Sequence, residues 1–293
     1  MALVEKELSR AADLVEAELE HWLSAKYSGD TVLAQAMRYS TLGGGKRIRA
    51  FLVLQFCRLF GGREETALPF AAAIEMVHAY SLIHDDLPCM DNDDMRRGKP
   101  SCHKAFGEAN ALLAGDTLLT QAFEVITLAP DASDASKAAA VRVLANGAGA
   151  LGMAGGQYYD LADECASYEE LRRLQRMKTG ALIRAAAHLG CYASDSSPSE
   201  EVLSAAAAYA ENVGFAFQIV DDLLDVRGDA AQLGKPVGSD ARNDKKTILS
   251  YMTIENAETL AAQCTEEAKK ALAAFENSEL LCALADYLMN RKH

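Results

Sequence analysis

An acidic stretch at residues 85–98, DDLPCMDNDDMRRG, directly follows an apolar one, VHAYSLIH. It holds five aspartates and two arginines in fourteen residues, and a run this acidic is most often a solvated loop. Its position at the end of an apolar helix favours a different interpretation, because buried carboxylates are costly unless a cation compensates them. The stretch is therefore either a solvated loop or one half of a cation site.

The composition predicts an all-α protein. Half of the 293 residues are hydrophobic, and there are only six prolines, so the chain can bury a large core made of helices. Apolar spacing predicts helices over residues 2–26, 31–39, 66–87, 103–128, 134–154, 167–189 and 199–227, and Pro88 should end the one over 66–87. Since no linker, repeat or strand pattern divides the chain, a single domain over residues 1–293 is predicted.

The charge and the cysteines exclude several classes of function. With 29 basic and 42 acidic residues the net charge is −13, which argues against a nucleic-acid or anionic-membrane surface. The seven cysteines form no CxxC pair and are typical of reduced thiols. With no signal-like N-terminus and no run of eighteen apolar residues, the sequence predicts a cytoplasmic protein with no membrane span.

A second acidic cluster lies in FQIVDDLLD. Asp221 and Asp225 are one turn apart on a helix and share its face. They stand among apolar residues, so we expect them to be buried rather than solvated. Like charges at this spacing repel unless a divalent cation lies between them, and a ligand set made only of carboxylates suits Mg²⁺.

Basic residues are scattered around the two clusters. Gly43 to Gly45 lead into Lys46 and Arg49, a pattern that fits either an anion site at a helix start or an ordinary basic surface. Cations beside metal-binding carboxylates indicate a diphosphate, and the apolar helices indicate a hydrocarbon tail. The cations in question are Lys46, Arg49, Arg96, Arg97, Lys178, Lys235 and Lys245.

Two further segments have two interpretations each. GAGALG, at residues 147–152, matches GxGxxG but follows a helical segment, so close helix packing explains it better than a dinucleotide site. Lys178, Thr179 and Gly180 interrupt an apolar helix, either as a polar edge or as a kink that turns the lysine and a carbonyl inward.

Together these segments resemble the trans-isoprenyl diphosphate synthase family, most closely its bacterial-type farnesyl diphosphate synthases (geranyltranstransferases). The resemblance covers nearly the whole chain and rests on GGGKRIR, HAYSLIHDDLPCMDNDDMRRG, CHKAFGEANALLAGD, GGQYYDL, KTGALIRAA, FQIVDDLLD and LGK. It implies the isoprenoid synthase fold, a single bundle of about ten or more helices around a central cavity, and a homodimer. It also implies condensation of isopentenyl diphosphate with allylic diphosphates.

The resemblance implies a metal site. Asp85, Asp91 and Asp221 would hold about three Mg²⁺ ions when allylic diphosphate is bound, with Asp86, Asp222 and Asp225 close by. The first motif reads DDxxxxD, so Asp91 is not one turn from Asp85. Pro88 would break the helix and let Asp91 return to the metal from a loop.

The resemblance also implies the substrate-binding residues. Arg96, Lys178 and Lys235 would bind the allylic diphosphate, and Lys245 keeps its place in the family pattern. The isopentenyl diphosphate site would consist of Lys46, Arg49, His78 and Arg97. The catalytic group would be Lys178, Thr179, Gln218 and Lys235, with the Thr179 hydroxyl, the Lys178 carbonyl and the Gln218 amide oxygen facing the allylic cation.

One segment departs from the family pattern. Where the family has DxxxGKxTYP, the chain reads DARNDKKTIL at residues 240–249, with Asp244 in the place of glycine. This substitution puts the geometry of that loop in question.

Product length depends on the helix before Asp85. Tyr80 and Ser81 lie about one turn earlier and would limit a growing tail. Farnesyl-making members of the resembled family carry an aromatic residue at the position of Tyr80, so the resemblance implies a fifteen-carbon product. The alternatives are a geranylgeranyl diphosphate synthase, a terpene cyclase and a non-catalytic subunit of a prenyl synthase. The last two are disfavoured because both aspartate motifs are present.

Overall fold

A computed structural model describes residues 2–24, 26, 29–162, 166–227 and 246–291. Apart from one short hairpin, β1 (Met95–Arg96) paired antiparallel with β2 (Lys99–Pro100), its regular elements are helical, which confirms the all-α prediction. The helices are α1 (Ala2–Trp22), α2 (Val32–Thr41), α3 (Ile48–Leu59), α4 (Glu64–Asp85), α5 (Cys102–Phe106), α6 (Glu108–Leu128), α7 (Asp134–Ala148), α8 (Met153–Leu161), α9 (Tyr168–Gln175), a π-turn (Arg176–Gly180), α10 (Ala181–Ser194), α11 (Glu200–Arg227), a 3₁₀ turn (Ile248–Ser250), α12 (Ile254–Ala271) and α13 (Glu279–Met289).

The chain divides into two compact units. The first unit comprises residues 5–144 and 188–198, and the second comprises residues 1–4, 145–187 and 199–293. The prediction of a single domain over residues 1–293 stays a prediction.

Helix α4 is the core of the first unit. Its alanine-rich middle is buried on all sides, and both α3 and α6 pack against it. By length and composition α4 and α6 could each cross a membrane, but 72% and 44% of their most apolar windows are buried inside the protein. Mutual packing of two apolar helices is what a helical core requires.

The second unit is built around α11. Helix α12 packs along it, and Ile219 and Leu223 of α11 join Ile248, Ala257 and Ala261 in one apolar cluster. The hydroxyl of fully buried Tyr209 donates to the Leu281 carbonyl at 2.7 Å, which ties α13 to α11. The apolar residues around Asp221 and Asp225 in the sequence therefore form part of the face on which the second unit packs.

Several predicted helix boundaries were wrong. Helix α1 ends at Trp22 rather than residue 26, and the region 103–128 is two helices separated at Gly107, whose φ of 85° is left-handed. The region 134–154 is also two helices, because α7 ends at Ala148 within GAGALG. In that segment a Cβ at Gly147 would lie 2.9 Å from the Ala185 Cβ, so the close helix packing predicted there is confirmed.

Candidate active site

The loop after α4 brings Asp91 back to Asp85. Helix α4 ends at Asp85, shortly before Pro88, whose ring cannot continue a helix. The Asp91 backbone N–H then donates to the Asp85 carbonyl at 2.8 Å, and Asn92, at a φ of 53°, donates to the Leu87 carbonyl at 3.1 Å. The loop therefore brings the Asp91 backbone back to that of Asp85, within hydrogen-bond distance, as the DDxxxxD spacing predicts.

Asp86 has a different environment from its neighbour Asp85. Its carboxylate is buried and accepts hydrogen bonds from Arg96, including one from Nε at 3.0 Å. Burial raises the pKa of Asp86, and the Arg96 guanidinium opposes that rise. Arg96 also reaches Asp93 at 3.4 Å. Asp86 therefore anchors the hairpin that carries Arg96 and Arg97 to the end of α4.

The glycine loop before α3 packs against the same hairpin. Arg97 Nη1 donates to the Gly44 carbonyl at 3.0 Å, and a Cβ at Gly45, whose φ is 94°, would lie 3.0 Å from Arg97 Nη2. A cavity of about 50 Å³ opens there, lined among others by Asp86, Arg96, Arg97 and Lys99. Three cations face one carboxylate, so this cavity suits an anion.

Arg47, between the predicted ligands Lys46 and Arg49, is a structural residue. Its side chain is 4% exposed and pairs with Glu16 at 2.6 Å and with Glu75 at 3.2 Å. Lys46 beside it is exposed, and the Arg49 Nε is buried with no hydrogen-bond partner among the described residues. An unpartnered buried N–H is costly, and an anionic ligand would satisfy it.

His78 faces a strongly cationic environment. Burial lowers its pKa well below the usual range, and Arg49 and Arg97 lower it further. The imidazole is therefore neutral near neutral pH, and it can offer a diphosphate a hydrogen bond but no charge. The four predicted isopentenyl-site residues all belong to the first unit, where Arg97 contacts the glycine loop that precedes Lys46 and Arg49.

The predicted chain-length residues lie on α4 before Asp85. Tyr80 is half-buried, and its burial, with Asp85 nearby, raises the pKa of the phenol. Ser81 is also half-buried, and its hydroxyl donates to the His78 carbonyl at 2.9 Å. Of the two, Tyr80 has the larger side chain and is the stronger candidate for a barrier.

The kink at Lys178 is a π-turn inserted between α9 and α10. Single π-turns of this kind often occur at functional sites. Lys178 Nζ binds Asp160 Oδ2 of α8 at 2.7 Å, and both side chains are mostly buried. A Cβ at Gly156 would lie 2.2 Å from the Lys178 backbone nitrogen. Helix α8 therefore approaches the π-turn closely because Gly156 has no side chain.

A chain of hydrogen bonds leads from the π-turn to α11. The Thr179 hydroxyl donates to Gln218 Oε1 at 3.4 Å, and Gln218 Nε2 donates to Asp222 Oδ1 at 3.2 Å. The other Asp222 oxygen accepts the backbone N–H of Ile248 at 2.9 Å. The second unit thus brings Thr179 and Gln218 together, and Asp222 holds the 3₁₀ turn against α11.

The three aspartates of α11 are not buried as expected. Asp222 is the buried member, at 4% exposure, whereas the Asp221 side chain is 42% exposed and Asp225 is half-buried. The expectation that Asp221 and Asp225 are the buried pair was wrong, because Asp222 is the residue that meets a backbone donor inside the unit. The Asp221 carboxylate instead binds Arg291, whose guanidinium lies 3.7 Å from the Phe217 ring centroid.

The chemistry of the acidic side chains suits Mg²⁺. Asp85 and Asp91 of the first unit, and Asp221 and Asp225 of the second, carry carboxylate oxygens, the ligands that this ion prefers. Among the residues that the structure describes, no three His, Cys, Asp or Glu side chains form a ready-made metal cluster, and Mg²⁺ is commonly held by one or two carboxylates with phosphate oxygens and waters. Lys235 and Lys245 lie outside the described residues.

Sequence reasoning missed three residues of these surroundings. Asp160 binds Lys178, Lys99 lines the cationic cavity and Arg291 binds Asp221. Asp160 lies in GGQYYDL and Lys99 follows RRG, so both had a signal in recognised motifs. Arg291 had none, because it is 70 residues from its partner.

The sequence and the fold are similar to those of known proteins. The sequence profile of the polyprenyl synthetase family matches residues 30–281. The farnesyl diphosphate synthase of Haemophilus influenzae is 42% identical over 95% of this chain and 96% of its own length. The geranylgeranyl diphosphate synthase of Cyanophora paradoxa is also 42% identical, over 90% of this chain and 89% of its own.

The structural comparison gives the same family. The crystal structure of an FPP/GFPP synthase from Zymomonas mobilis superposes with a TM-score of 0.87 at 36% identity, covering 99% of this chain and all of the other. The predicted isoprenoid synthase fold is therefore confirmed.

Proposed function

Because the chain belongs to the polyprenyl synthetase family, we propose that it is a Mg²⁺-dependent prenyltransferase that makes (2E,6E)-farnesyl diphosphate. It condenses isopentenyl diphosphate head to tail with dimethylallyl diphosphate and then with geranyl diphosphate. The observation that carries this proposal is the loop that returns Asp91 to Asp85, because two carboxylates at the end of an apolar helix are suited to bind a metal–diphosphate beside an apolar tail.

Asp85, Asp91 and Asp221 would hold the Mg²⁺ ions. When bound, the metal offsets the negative charge that develops on the departing diphosphate. Arg96, Lys178 and Lys235 donate hydrogen bonds to that diphosphate. Before the substrate arrives, Asp86 orients Arg96 and Asp160 orients Lys178, so neither long side chain has to be ordered during the reaction.

A second set of residues binds isopentenyl diphosphate without metal. Lys46, Arg49 and Arg97 supply charge and neutral His78 supplies a hydrogen bond. The buried, unpartnered Arg49 Nε supports this role. The allylic C–O bond breaks to leave an allylic cation and diphosphate, and the isopentenyl double bond then attacks the cation to form the new carbon–carbon bond.

The remaining groups face the positive charge. The Thr179 hydroxyl, the Lys178 carbonyl and the Gln218 amide oxygen point partial negative charge at the allylic cation. A proton then leaves the condensed product and passes to the departed diphosphate. The described residues contain no dedicated general base for this step.

One incubation tests the function. The purified protein is mixed with isopentenyl diphosphate and with dimethylallyl, geranyl or farnesyl diphosphate, with Mg²⁺ or with a chelator. We expect fifteen-carbon product from the first two starters, none with the chelator, and little extension of farnesyl diphosphate. Efficient extension of farnesyl diphosphate would favour a geranylgeranyl synthase, and no condensation with any starter would overturn the proposal.

Replacing Tyr80 with alanine should lengthen the product. The half-buried ring stands one turn before Asp85, so its removal opens space for one more five-carbon unit. We expect twenty-carbon product to become abundant when products are separated by chromatography. Tyr192→Ala removes another half-buried tyrosine, on α10, and should leave product length unchanged. A Tyr80→Ala variant that still stops at fifteen carbons would exclude this residue as the barrier.

Replacing Arg291 with glutamine should tighten Mg²⁺ binding to the substrate-free protein. Arg291 neutralises Asp221 through a partly buried contact, so a metal must displace it. A charge-assisted hydrogen bond of this kind corresponds to about a 10-fold change in Kd. Calorimetric Mg²⁺ titration measures it, with Lys270→Gln as a control that removes an equal charge from the surface. Weaker or unchanged binding in Arg291→Gln would contradict this competition.

We also propose that the protein is a cytoplasmic homodimer. Helix α6 buries one face in the core of the first unit and exposes the side chains of Leu112, Leu113 and Leu128, which a second copy would cover. The six described cysteines are free thiols, as expected in a reducing compartment. Sedimentation analysis should return twice the mass of the chain, and a monomer at micromolar concentration would contradict the dimer.

A further inference from the structure

His84 links Tyr80 to the neighbouring helix. The Tyr80 and His84 rings are one turn apart on α4 and meet edge to face, with centroids 5.7 Å apart and planes at 77°. On its other side His84 lies against α6, where its Nε2 is 3.0 Å from the Leu112 carbonyl and 3.9 Å from Asp116 Oδ1. The imidazole is therefore held between the Tyr80 ring and the α6 backbone.

Gly115 makes room for this ring. A Cβ built at Gly115 would lie 2.2 Å from His84 Nε2 and 2.5 Å from its Cδ2, far inside van der Waals contact. The imidazole thus occupies the space that any other residue at 115 would fill. Its χ angles are restricted by α6, and the ring cannot move away from Tyr80 without losing the Leu112 contact.

Tyr80 contacts His84 through its ring. It is half-buried, and the edge-to-face contact with His84 is the aromatic contact that the structure describes for it. Such a pair favours one orientation of the tyrosine ring over its alternatives. Whatever fixes His84 therefore also fixes the direction in which the Tyr80 ring stands.

We propose that His84 is a positioning residue that sets product length by orienting the Tyr80 ring, and that Gly115 on α6 leaves the space that the imidazole occupies. The inference rests on the proposed function and on Tyr80 as the barrier to the growing tail. His84 touches neither diphosphate nor metal in this scheme. It keeps the Tyr80 ring across the path of the tail, so that elongation stops at fifteen carbons.

The test measures the ratio of twenty-carbon to fifteen-carbon product made from geranyl and isopentenyl diphosphates. His84→Ala removes the contact and should raise the ratio about 2- to 12-fold, the range expected for the loss of one aromatic pair. His84→Phe keeps a ring edge against Tyr80 but has no nitrogen for the Leu112 carbonyl, so its ratio should lie between those of wild type and His84→Ala. Gly115→Ala pushes the imidazole from the α6 side and should raise the ratio as His84→Ala does.

The double variant separates positioning from a general loss of structure. If His84 acts through Tyr80, adding His84→Ala to Tyr80→Ala should change the ratio no further. A merely structural role for His84 would lower the melting temperature or the rate but leave the ratio of the single variant unchanged. If Gly115→Ala does not fold, His84→Ala and His84→Phe are sufficient to test the proposal.

The outcomes that overturn the inference are distinct from those that overturn the function. No condensation by the wild-type protein refutes the proposed function. A wild-type fifteen-carbon product together with an unchanged ratio in His84→Ala refutes only the inference. The inference also fails if His84→Phe shifts the ratio as far as His84→Ala, or if His84→Ala acts equally with and without Tyr80.

Discussion

Replacing Asp221 with asparagine should lower kcat for the condensation by about 100- to 1,000-fold, the usual cost of removing one electrostatic group from a transition state that develops charge. Asparagine keeps the shape of the side chain but removes the negative charge that a metal requires. Because the Asp221 side chain is 42% exposed, the fold should tolerate the change. The measurement is kcat with geranyl diphosphate over a series of Mg²⁺ concentrations, and the half-saturating concentration should rise as kcat falls.

Two variants on the same helix make this result specific. Glu201→Gln removes an exposed carboxylate in the first turn of α11 and should leave kcat unchanged. Asp222→Asn alters the buried carboxylate that accepts the Ile248 N–H, so it should lower thermal stability without raising the Mg²⁺ requirement. A Mg²⁺ requirement that rises in Asp222→Asn but not in Asp221→Asn would reverse the roles given to these neighbours.

That division of roles shows what local sequence patterns can and cannot predict. The apolar periodicity and Pro88 correctly predicted that the helix ends before Asp91, and the polar residues at Lys178 correctly indicated an irregular turn, which is a π-turn. Both features depend on residues only a few positions away in the sequence. The two DD pairs look equivalent in sequence. Only the tertiary structure shows that Asp86 binds Arg96 of the hairpin and that Asp222 accepts the N–H of Ile248.

The hairpin and the ion pairs that the sequence did not reveal also depend on the tertiary structure. The hairpin has two residues in each strand, too few for an alternating pattern to be recognised. The Arg291 contact with Asp221 spans 70 positions, and the Arg47 contact with Glu75 spans 28. No spacing rule joins such residues. The predicted cations could therefore be named from the sequence, but the ion pairs of Arg96 with Asp86 and of Lys178 with Asp160 required the fold.

Replacing Glu75 with alanine should reduce the free energy of unfolding by about 3–5 kcal/mol, the range for breaking a buried ion pair. Arg47 and Glu75 are 4% and 3% exposed, so the guanidinium would lose one of its two carboxylates where water cannot replace it. The Ala50 N–H at the start of α3 would also lose its acceptor, Glu75 Oε1 at 3.1 Å. Urea unfolding followed by circular dichroism measures the loss.

The control for Glu75→Ala lies on the same helix. Glu65→Ala removes an exposed carboxylate from the first turn of α4, where an acidic residue contributes at most about 1 kcal/mol through the helix dipole. Glu75→Gln keeps an acceptor for Ala50 but removes the charge facing Arg47, so its stability should fall between those of wild type and Glu75→Ala. Since Arg47 lies between Lys46 and Arg49, we expect Glu75→Gln to raise the KM for isopentenyl diphosphate more than that for geranyl diphosphate. Equal unfolding midpoints for Glu75→Ala and Glu65→Ala would show that Glu16 and the Thr41 carbonyl alone satisfy the buried guanidinium.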